Sequence, residues 1–558
     1  MSNPRDESQG QDPSHCALQV GFDLKLAGDA VHLSADCLAP LPLQLLSSLA
    51  EISRLRGLAI YFSGGVVRDW LLGLIPADLD ITVPSGALAF AEELALALSA
   101  TYVPLSMAEG VARVIWNSAQ YLLLPGEQGG AISLDISQFR EGTTTILDDL
   151  RRRDFSVNAM AVGFDSRALT LAHDGLVIDP SGGLVDLGLG VIRLVHPQAL
   201  LVDPLRMLRA YRFRAVFGWK IELGTQSAIA AQASLIGQVS GERIAGELDR
   251  ILPCDYCYQI IQEMAEVGFL FMLFPELAPG VGLLQPSSHH LDVFEHSLET
   301  LRQMERIIHE PEAFFPRQVR NEHSSRPLHA DYALSQAGTD LSADWAHDMS
   351  GYLSAPRQKI RLKYAALLHD LGKTITCAEK EGRITFYNHD EAGVDLLTGI
   401  AGRLRWSQED TRRISQLVKQ HMWPFHLHNA KVRTGITPKA VLKLVKAAGD
   451  DLLGLFFLVM ADSLAGQGPG KPEGMEEAVS VLFAEVYQTY QVRLKPILNK
   501  PLLTGHDLIQ SLHLTPGPIF TQIFDALLEE RAVRPGMTKA CALAWVEAYV
   551  LQIDLKME

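Results

Sequence analysis

The chain has 558 residues, 47% of them hydrophobic and 20% charged, and a formal charge of −16. That length and balance fit an ordinary soluble globular protein of several domains. The acidic total argues against indiscriminate nucleic-acid coating, which is electrostatic, but leaves room for local basic clusters that bind RNA. The opening segment MSNPRDESQGQDPSH has no apolar signal core, and no run approaches the ~18 apolar residues of a membrane span, so neither export nor membrane insertion is expected. Six scattered cysteines fit a reducing cytoplasm; Cys254 and Cys257 form one CxxC without a second pair at zinc spacing, so they read as structural thiols.

In chain order, residues 1 to about 15 read as disordered, within an N-terminal tail spanning 1–38. LPLQLLSSLAEISRLRG (about 40–56) is an amphipathic helix leading into LAIYF (58–62), an apolar strand. Ser63, Gly64 and Gly65 break that strand, and Val66 to Leu74 reads as a helix stopped by Pro76. Glycines there let backbone N–H groups approach phosphate oxygens, the helix N-terminus adds a positive dipole end, and Arg68 can bond a phosphate through two N–H groups. DLDITV (78–83) alternates as a strand, so Asp78 and Asp80 project to one side. Two carboxylates so close repel unless a cation lies between them, and Mg²⁺ is the natural occupant. A phosphate cradle facing such a pair is equipment for two-metal nucleotidyl transfer.

ALAFAEELALALSA (87–100) predicts a helix; ARVIW (112–116), YLLLP (121–125) and AISLDIS (131–137) predict strands of a mixed α/β head. Asp135 in the last of these is either a third carboxylate of the metal site or a plain edge-strand aspartate. ILDDLRRRDFSVNAMAV (146–162) reads as helical, with Arg151, Arg152 and Arg153 as the densest basic run of the head. Asp203 and Pro204 give a helix start as N-cap and first helical residue. Arg206, Arg209, Arg212 and Arg214 then spread around that helix, and its apolar residues leave too little face for four idle arginines, which favours ligand or RNA contact. Residues 220–275 are helical, 309–357 form a polar, proline-bearing loop insertion, and QGPGKPEG (467–474) marks a boundary.

Taken together, these residues resemble the class II tRNA nucleotidyltransferase and bacterial poly(A) polymerase family, with a polymerase β-like head; the resemblance covers roughly 55–260. GGVVRD with Asp78 and Asp80 matches the catalytic motif. RRDFSVNAMA matches the family's RRDFTxNA, which implies that Arg153, Asp154 and Asn158 lie near the ribose of the incoming nucleotide. DPSGGLVDL resembles the hinge motif, through Asp179 and Asp186, and GERIAGELDRIL resembles the last head-neck motif, through Glu242, Arg243 and Glu247. VDPLRMLRAYRFRA resembles the helix that selects C or A through Asp203 and Arg206, although Val202 replaces the usual Glu. Between Asp135 and the RRD motif the chain has only ISQFREGTTTILDDLR, where enzymes that add the whole CCA end carry a longer loop. A shortened loop is typical of relatives that add CC and stop.

HHLDVFEHSLETL, LKYAALLHDLGK, FYNHDEAG, QHMWPF and LVMADSLAG each place a His or Asp on apolar, helical sequence. His296, His369, Asp370, His389, His421 and Asp462 together resemble an intact HD-domain metal site, suited to a divalent metal whose identity the sequence leaves open. HD domains fused to such enzymes imply phosphohydrolase activity on 2′,3′-cyclic or 2′-phosphate ends.

The expected fold is α+β: a nucleotidyltransferase head (39–190), an all-α neck (191–275), an HD domain (276–470, with its insertion) and a helical tail region (471–558). The expected function is two-metal addition of C and/or A from CTP and ATP to the tRNA 3′ end, with Mg²⁺ at Asp78 and Asp80 and with Asp135 as a further candidate catalytic carboxylate. Alternatives are a poly(A) polymerase, or an HD phosphohydrolase with an RNA-binding head.

Overall fold

The computed structural model describes residues 30–117, 131–315 and 341–557. Two compact units divide the chain: one runs up to Ile251 and includes Glu266–Met272, the other takes Leu252–Ala265 and everything from Leu273 onward.

The first unit opens with α1 (Leu43–Arg56), β1 (Ile60–Ser63), α2 (Gly65–Leu71), β2 (Asp78–Val83) and α3 (Ala87–Leu98). It continues through β3 (Thr101–Ser106), β4 (Val111–Asn117), β5 (Ala131–Gln138), α4 (Ile146–Leu150), β6 (Ala161–Asp165), β7 (Thr170–Leu171) and β8 (Val177–Ile178). The strands form one sheet in the order β3-β4-β5-β2-β1-β6-β7, with β8 also on β6. It is mixed, because β2 and β5 run parallel while the pairs around them are antiparallel. Alternation along the strands sorts its faces. Leu79, Ile81, Ala112, Val114, Ile132, Leu134 and Ile136 are buried, and α3 packs on β4 and β5 with Phe90, Ala91 and Leu94. The opposite face carries Asp78, Asp80, Arg113 and Asp135, left more open.

The helical part of this unit comprises α5 (Gly183–Leu189), α6 (Ala199–Val202), α7 (Leu205–Phe217), α8 (Leu223–Gln232) and α9 (Gly241–Ile251). Short strands β9 (Val191–Ile192) and β10 (Lys220–Ile221) pair in parallel. Asp179 starts α5 by accepting the Gly183 and Leu184 N–H groups at 2.8 and 2.9 Å. Helix α7 packs on α9.

The second unit takes α10 (Cys257–Glu266) as far as Ala265, whereas most of α11 (Phe269–Leu273) belongs to the first unit. The second continues with α12 (Val293–His309), α13 (Pro311–Phe314), α14 (Leu341–Ser354), α15 (Pro356–Leu368) and α16 (Lys373–Thr376). A hairpin of β11 (Ala378–Lys380) and β12 (Arg383–Thr385) leads to α17 (His389–Leu404), α18 (Gln408–Gln420), α19 (Trp423–Thr434), α20 (Pro438–Ala448), α21 (Leu452–Ala465) and α22 (Met475–Thr489). Further helices run to Met557. Helices α12, α15 and α21 pack on one another around Leu301, Met304, Leu362, Phe456 and Phe457. No described helix is long and apolar enough to cross a membrane.

Several sequence expectations are corrected. Residues 146–162 are not one helical stretch: α4 gives way to a 3₁₀ turn at Ser156–Asn158 and then to β6. Asp154 Oδ1 accepts its neighbour Phe155 N–H at 2.8 Å, the local competition by which Asp, Asn and Ser disrupt helices. The insertion 309–357 contains helix α14 over Leu341–Ser354, where Trp345, Met349 and Leu353 are buried at four-residue spacing. Within the supposed tail, residues 30–38 pack on the head: Leu33 N–H bonds Gly175 O at 2.9 Å, and Ala35–Leu38 form a 3₁₀ turn. The break at 467–474 joins α21 to α22 inside one unit. Helix α2 ends at Leu71, before Pro76, and β3 was not foreseen. The expected strand at 121–125 and disorder at 1–15 lie outside the described residues.

Candidate active site in the head and candidate metal cluster in the helical unit

The head site grows from the β1–α2 turn. Gly64 has φ 71° and ψ −132°, a conformation that favours glycine, and a Cβ there would sit 2.9 Å from Arg153 Nη1 and 3.1 Å from Asp80 Oδ2. The turn is therefore pressed against the carboxylate strand. Its Gly65 N–H donates to Asp80 Oδ2 at 3.1 Å, and its Gly64 N–H donates to Met160 O at 3.1 Å. Asp78 and Asp80 share the open face of β2, as the i, i+2 spacing requires. Burial pushes the Asp80 carboxyl up to about 6; Arg153 opposes this, while Asp135 and Asp78 add to it.

Asp135 is no edge-strand residue, because β5 lies between β4 and β2. It stands in direct register with Asp80 on one side and Arg113 on the other. Arg113 grips it with Nε–Oδ1 and Nη2–Oδ2 bonds of 2.7 Å each. Arg113 drew no attention in the sequence, since strand register is not legible there.

Arg68 and Arg153 are both buried and engaged by protein. Arg68 Nη1 donates to Asn158 Oδ1 at 2.7 Å, its Nε and Nη2 bond Asp69, and its guanidinium lies over the Phe213 and Phe217 rings at 5.4 and 4.9 Å. Arg153 Nη2 donates to Ser63 Oγ and Thr82 Oγ1, each at 2.9 Å, and pairs with Asp149 at 3.3 Å. Asp149, itself fully buried and also paired with Arg140, is a supporting carboxylate that sequence reasoning missed.

Asp154 and Asn158 face each other at 3.4 Å, and Arg209 Nη2 lies 2.8 Å from Asp154 Oδ2. Burial alone would raise the Asp154 carboxyl, but Arg209 and Arg206 hold it down at about 2. Asp203 precedes α7 by one residue more than expected: Pro204 occupies the cap, while Asp203 Oδ1 accepts the Leu205 N–H at 3.3 Å and Oδ2 pairs with Arg243 at 2.9 Å. Arg206 is buried, with Nη1 donating to Ala199 O at 3.2 Å. Arg212 pairs with Glu247 on α9 at 3.2 Å; burial lowers its guanidinium to about 10.

In the helical unit, His296 on α12, His369 and Asp370 after α15, His389 opening α17, His421 after α18 and Asp462 on α21 converge as buried groups. His296 Nε2 lies 3.0 Å from Asp462 Oδ1 and 3.5 Å from Asp370 Oδ2; His389 and His421 Nε2 lie 3.4 and 3.9 Å from Asp370 Oδ1. The Nδ1 atoms of His369, His389 and His421 each lie 2.6–3.0 Å from the carbonyl oxygen three residues earlier, Ala366, Phe386 and Val418. A carbonyl only accepts, so each Nδ1 carries the proton and turns an Nε2 lone pair inward. Lys373 ion-pairs with Asp370 at 2.6 Å, yet neither Asp370 oxygen nor His369 Nε2 has a well-directed hydrogen bond. Converging lone pairs, buried unsatisfied carboxylate oxygens and backbone-oriented imidazoles fit a divalent metal. Burial drives His421 down to about 4, so it stays neutral, while Asp370 and Asp462, held by neighbouring histidines, are lowered. His289 also joins His296 and Asp462 within ligand reach, a residue passed over in the sequence although it stands in the same HHLDVFEH run.

Residues 60–193 match the poly A polymerase head domain, 218–280 the probable RNA and SrmB-binding site of polymerase A, and 293–448 the HD domain. The A-adding tRNA nucleotidyltransferase of Deinococcus radiodurans is 30% identical over 493 residues, covering 87% of this chain and 94% of that protein. The CC-adding tRNA nucleotidyltransferase of Thermus thermophilus is 29% identical, covering 87% and 92%. The fold is similar to that of the Thermotoga maritima CCA-adding enzyme complexed with tRNA, with a TM-score of 0.56 at 21% identity, covering 94% of this chain and 100% of that one. This chain belongs to the tRNA nucleotidyltransferase family, with a poly A polymerase-type head and an HD domain.

Proposed function

We propose that the chain extends the tRNA 3′ end with nucleotides from CTP or ATP, adding part of the CCA sequence rather than all of it. The observation that carries this reading is the placement of Asp78 and Asp80 on the open sheet face, against the glycine turn at Gly64 and Gly65. Their carboxylate oxygens suit Mg²⁺, which when bound there supplies charge neutralisation at the reacting phosphates and a lowered pKa for the attacking hydroxyl.

The chain's own residues bind and orient. The glycine turn brings backbone close to the triphosphate. Arg68 acts there chiefly by fixing Asn158, its bonding partner. Asp154, kept ionised by Arg209, and Asn158 offer acceptor and donor to the ribose hydroxyls. Arg153 serves as the buried cation behind Asp80. Asp203 and Arg206 present an acceptor and donors to the base edge, Arg243 steadying Asp203. Arg212 ties α7 to α9 through Glu247.

Partial addition is supported by the short connection between β5 and the RRD motif. It is supported too by the A-adding and CC-adding relatives, which match along most of both lengths. We place this activity in the cytoplasm, with its tRNA substrate. A second reading concerns the helical unit: the His–Asp cluster supports a divalent-metal phosphohydrolase acting on phosphate ends. The first reading is tested by incorporation of labelled CTP and ATP into tRNA. Wild type is expected to incorporate and Asp78→Ala to lose at least about a hundredfold in rate, the scale of removing one preorganised electrostatic group from an active site, with its fold intact. Incorporation near wild type would sink the assignment.

A further inference from the structure

Arg113, Asp135 and Asp80 are directly registered partners on three adjacent strands, β4, β5 and β2, so they form one row across the open face. Both oxygens of Asp135 are taken by the Nε–Nη2 edge of Arg113 at 2.7 Å. The guanidinium charge offsets that of the carboxylate and so weakens it as a metal ligand, while Arg113 keeps its Nη1 edge for another anion. The sheet order fixes the sequence across the face: glycine turn beside β2, then Asp80, Asp135 and Arg113. If the triphosphate lies at the glycine turn, as the proposed function has it, in-line displacement puts leaving pyrophosphate and attacking hydroxyl on opposite sides of the α-phosphate. The acceptor strand then approaches from the β5–β4 side, where Arg113 stands.

We propose that Arg113, held by Asp135, binds a backbone phosphate at the 3′ end of the acceptor RNA, and that Asp135 is a positioning residue rather than a third metal ligand. The inference rests on the nucleotidyl-transfer reading for its direction, but its test separates the two. The experiment measures KM for acceptor tRNA and for nucleotide, the Mg²⁺ concentration for half-maximal rate, and RNA Kd against salt. The variants are Arg113→Gln, Arg113→Lys and Asp135→Asn.

Arg113→Gln should raise acceptor KM and Kd about tenfold, the scale of one charge-assisted bond, and reduce the slope of log Kd against log salt by about 0.7, one single-strand phosphate contact. Nucleotide KM and Mg²⁺ requirement should stay within about twofold. Arg113→Lys should keep the salt slope, because a point charge still meets the phosphate. Asp135→Asn should mimic Arg113→Gln, and the double variant should be no worse than either, as expected of a residue acting through its partner. Asp135→Asn raising the Mg²⁺ requirement where Arg113→Gln does not would overturn the proposal. So would a rise confined to nucleotide KM, or an unchanged salt slope. If Arg113→Gln fails to fold, Asp135→Asn carries the same test, with a raised acceptor KM and a reduced salt slope expected and an unchanged slope overturning the proposal. A wild-type protein that binds RNA with this salt slope yet incorporates nothing would count against the proposed function alone.

Discussion

His389 and His421 bring their Nε2 atoms to 3.2 Å of each other while each Nδ1 donates to a backbone carbonyl. With both protons fixed on Nδ1, the two Nε2 lone pairs face one another in a buried cluster beside Asp370. That arrangement is repulsive without a cation and favourable around one.

The purified protein should accordingly hold divalent metal in its helical unit. Elemental analysis should find it, and His421→Ala should lose it. Because the metal binds only the folded unit, chelation should destabilise the protein by about 3 kcal/mol at metal levels near a hundredfold over Kd, seen as a lower Tm. A metal-free preparation whose Tm ignores both chelator and added metal would contradict the cluster's reading.

Asp370→Ala should abolish that metal binding but leave nucleotide addition within a few fold. Asp370 sits at the centre of the His–Asp cluster, and Asp78 and Asp80 belong to the other unit. Parallel loss of both activities would mean that the helical cluster supports the transfer reaction.

Gly64→Ala should cost about 2 kcal/mol, because φ 71° with ψ −132° is strained for any residue with a Cβ. Activity should fall further than stability explains, since the new methyl would press on Arg153 and Asp80. Denaturant unfolding together with incorporation rate checks this.

Asp154 gives a pH dependence with a definite sign. Its folded value, about 2, lies below the ordinary 3.8, so the folded state binds its proton less readily than the unfolded state. The resulting stability is present above pH 4 and is lost as pH falls toward 2, about 2 kcal/mol in full. Urea titrations should therefore show wild type losing its advantage over Asp154→Asn as pH drops below 4. An advantage independent of pH would assign Asp154 a purely steric role.

Much of this was legible in residue types and local spacing. The glycine turn, the paired carboxylates of DLDITV and the five His- or Asp-bearing helical stretches follow from short-range pattern. What escaped depends on contacts far apart in sequence. Arg113 is one alternating strand residue until register sets it against Asp135, 22 positions on. Asp149 is one of several charges until burial pairs it with Arg153 and Arg140. The RRD segment misled because Asp154 bonds the next backbone N–H and Asn158, and Ser156 donates to Asp186, 30 positions on, which the helical pattern of its apolar residues conceals. In 309–357 the polar stretch masked a four-residue period of Trp345, Met349 and Leu353 that could have been counted.

Addition of only part of the CCA end to tRNA leaves a distinctive pattern of products. Its most direct measurement supplies labelled CTP or ATP, with Mg²⁺, to tRNAs ending before the first C, after one C and after CC. Partial addition gives either C on the first two and no A on the third, or A on the third alone. C and A on all three in turn would contradict partial addition, and long ATP-only tails on any RNA would contradict tRNA end synthesis altogether.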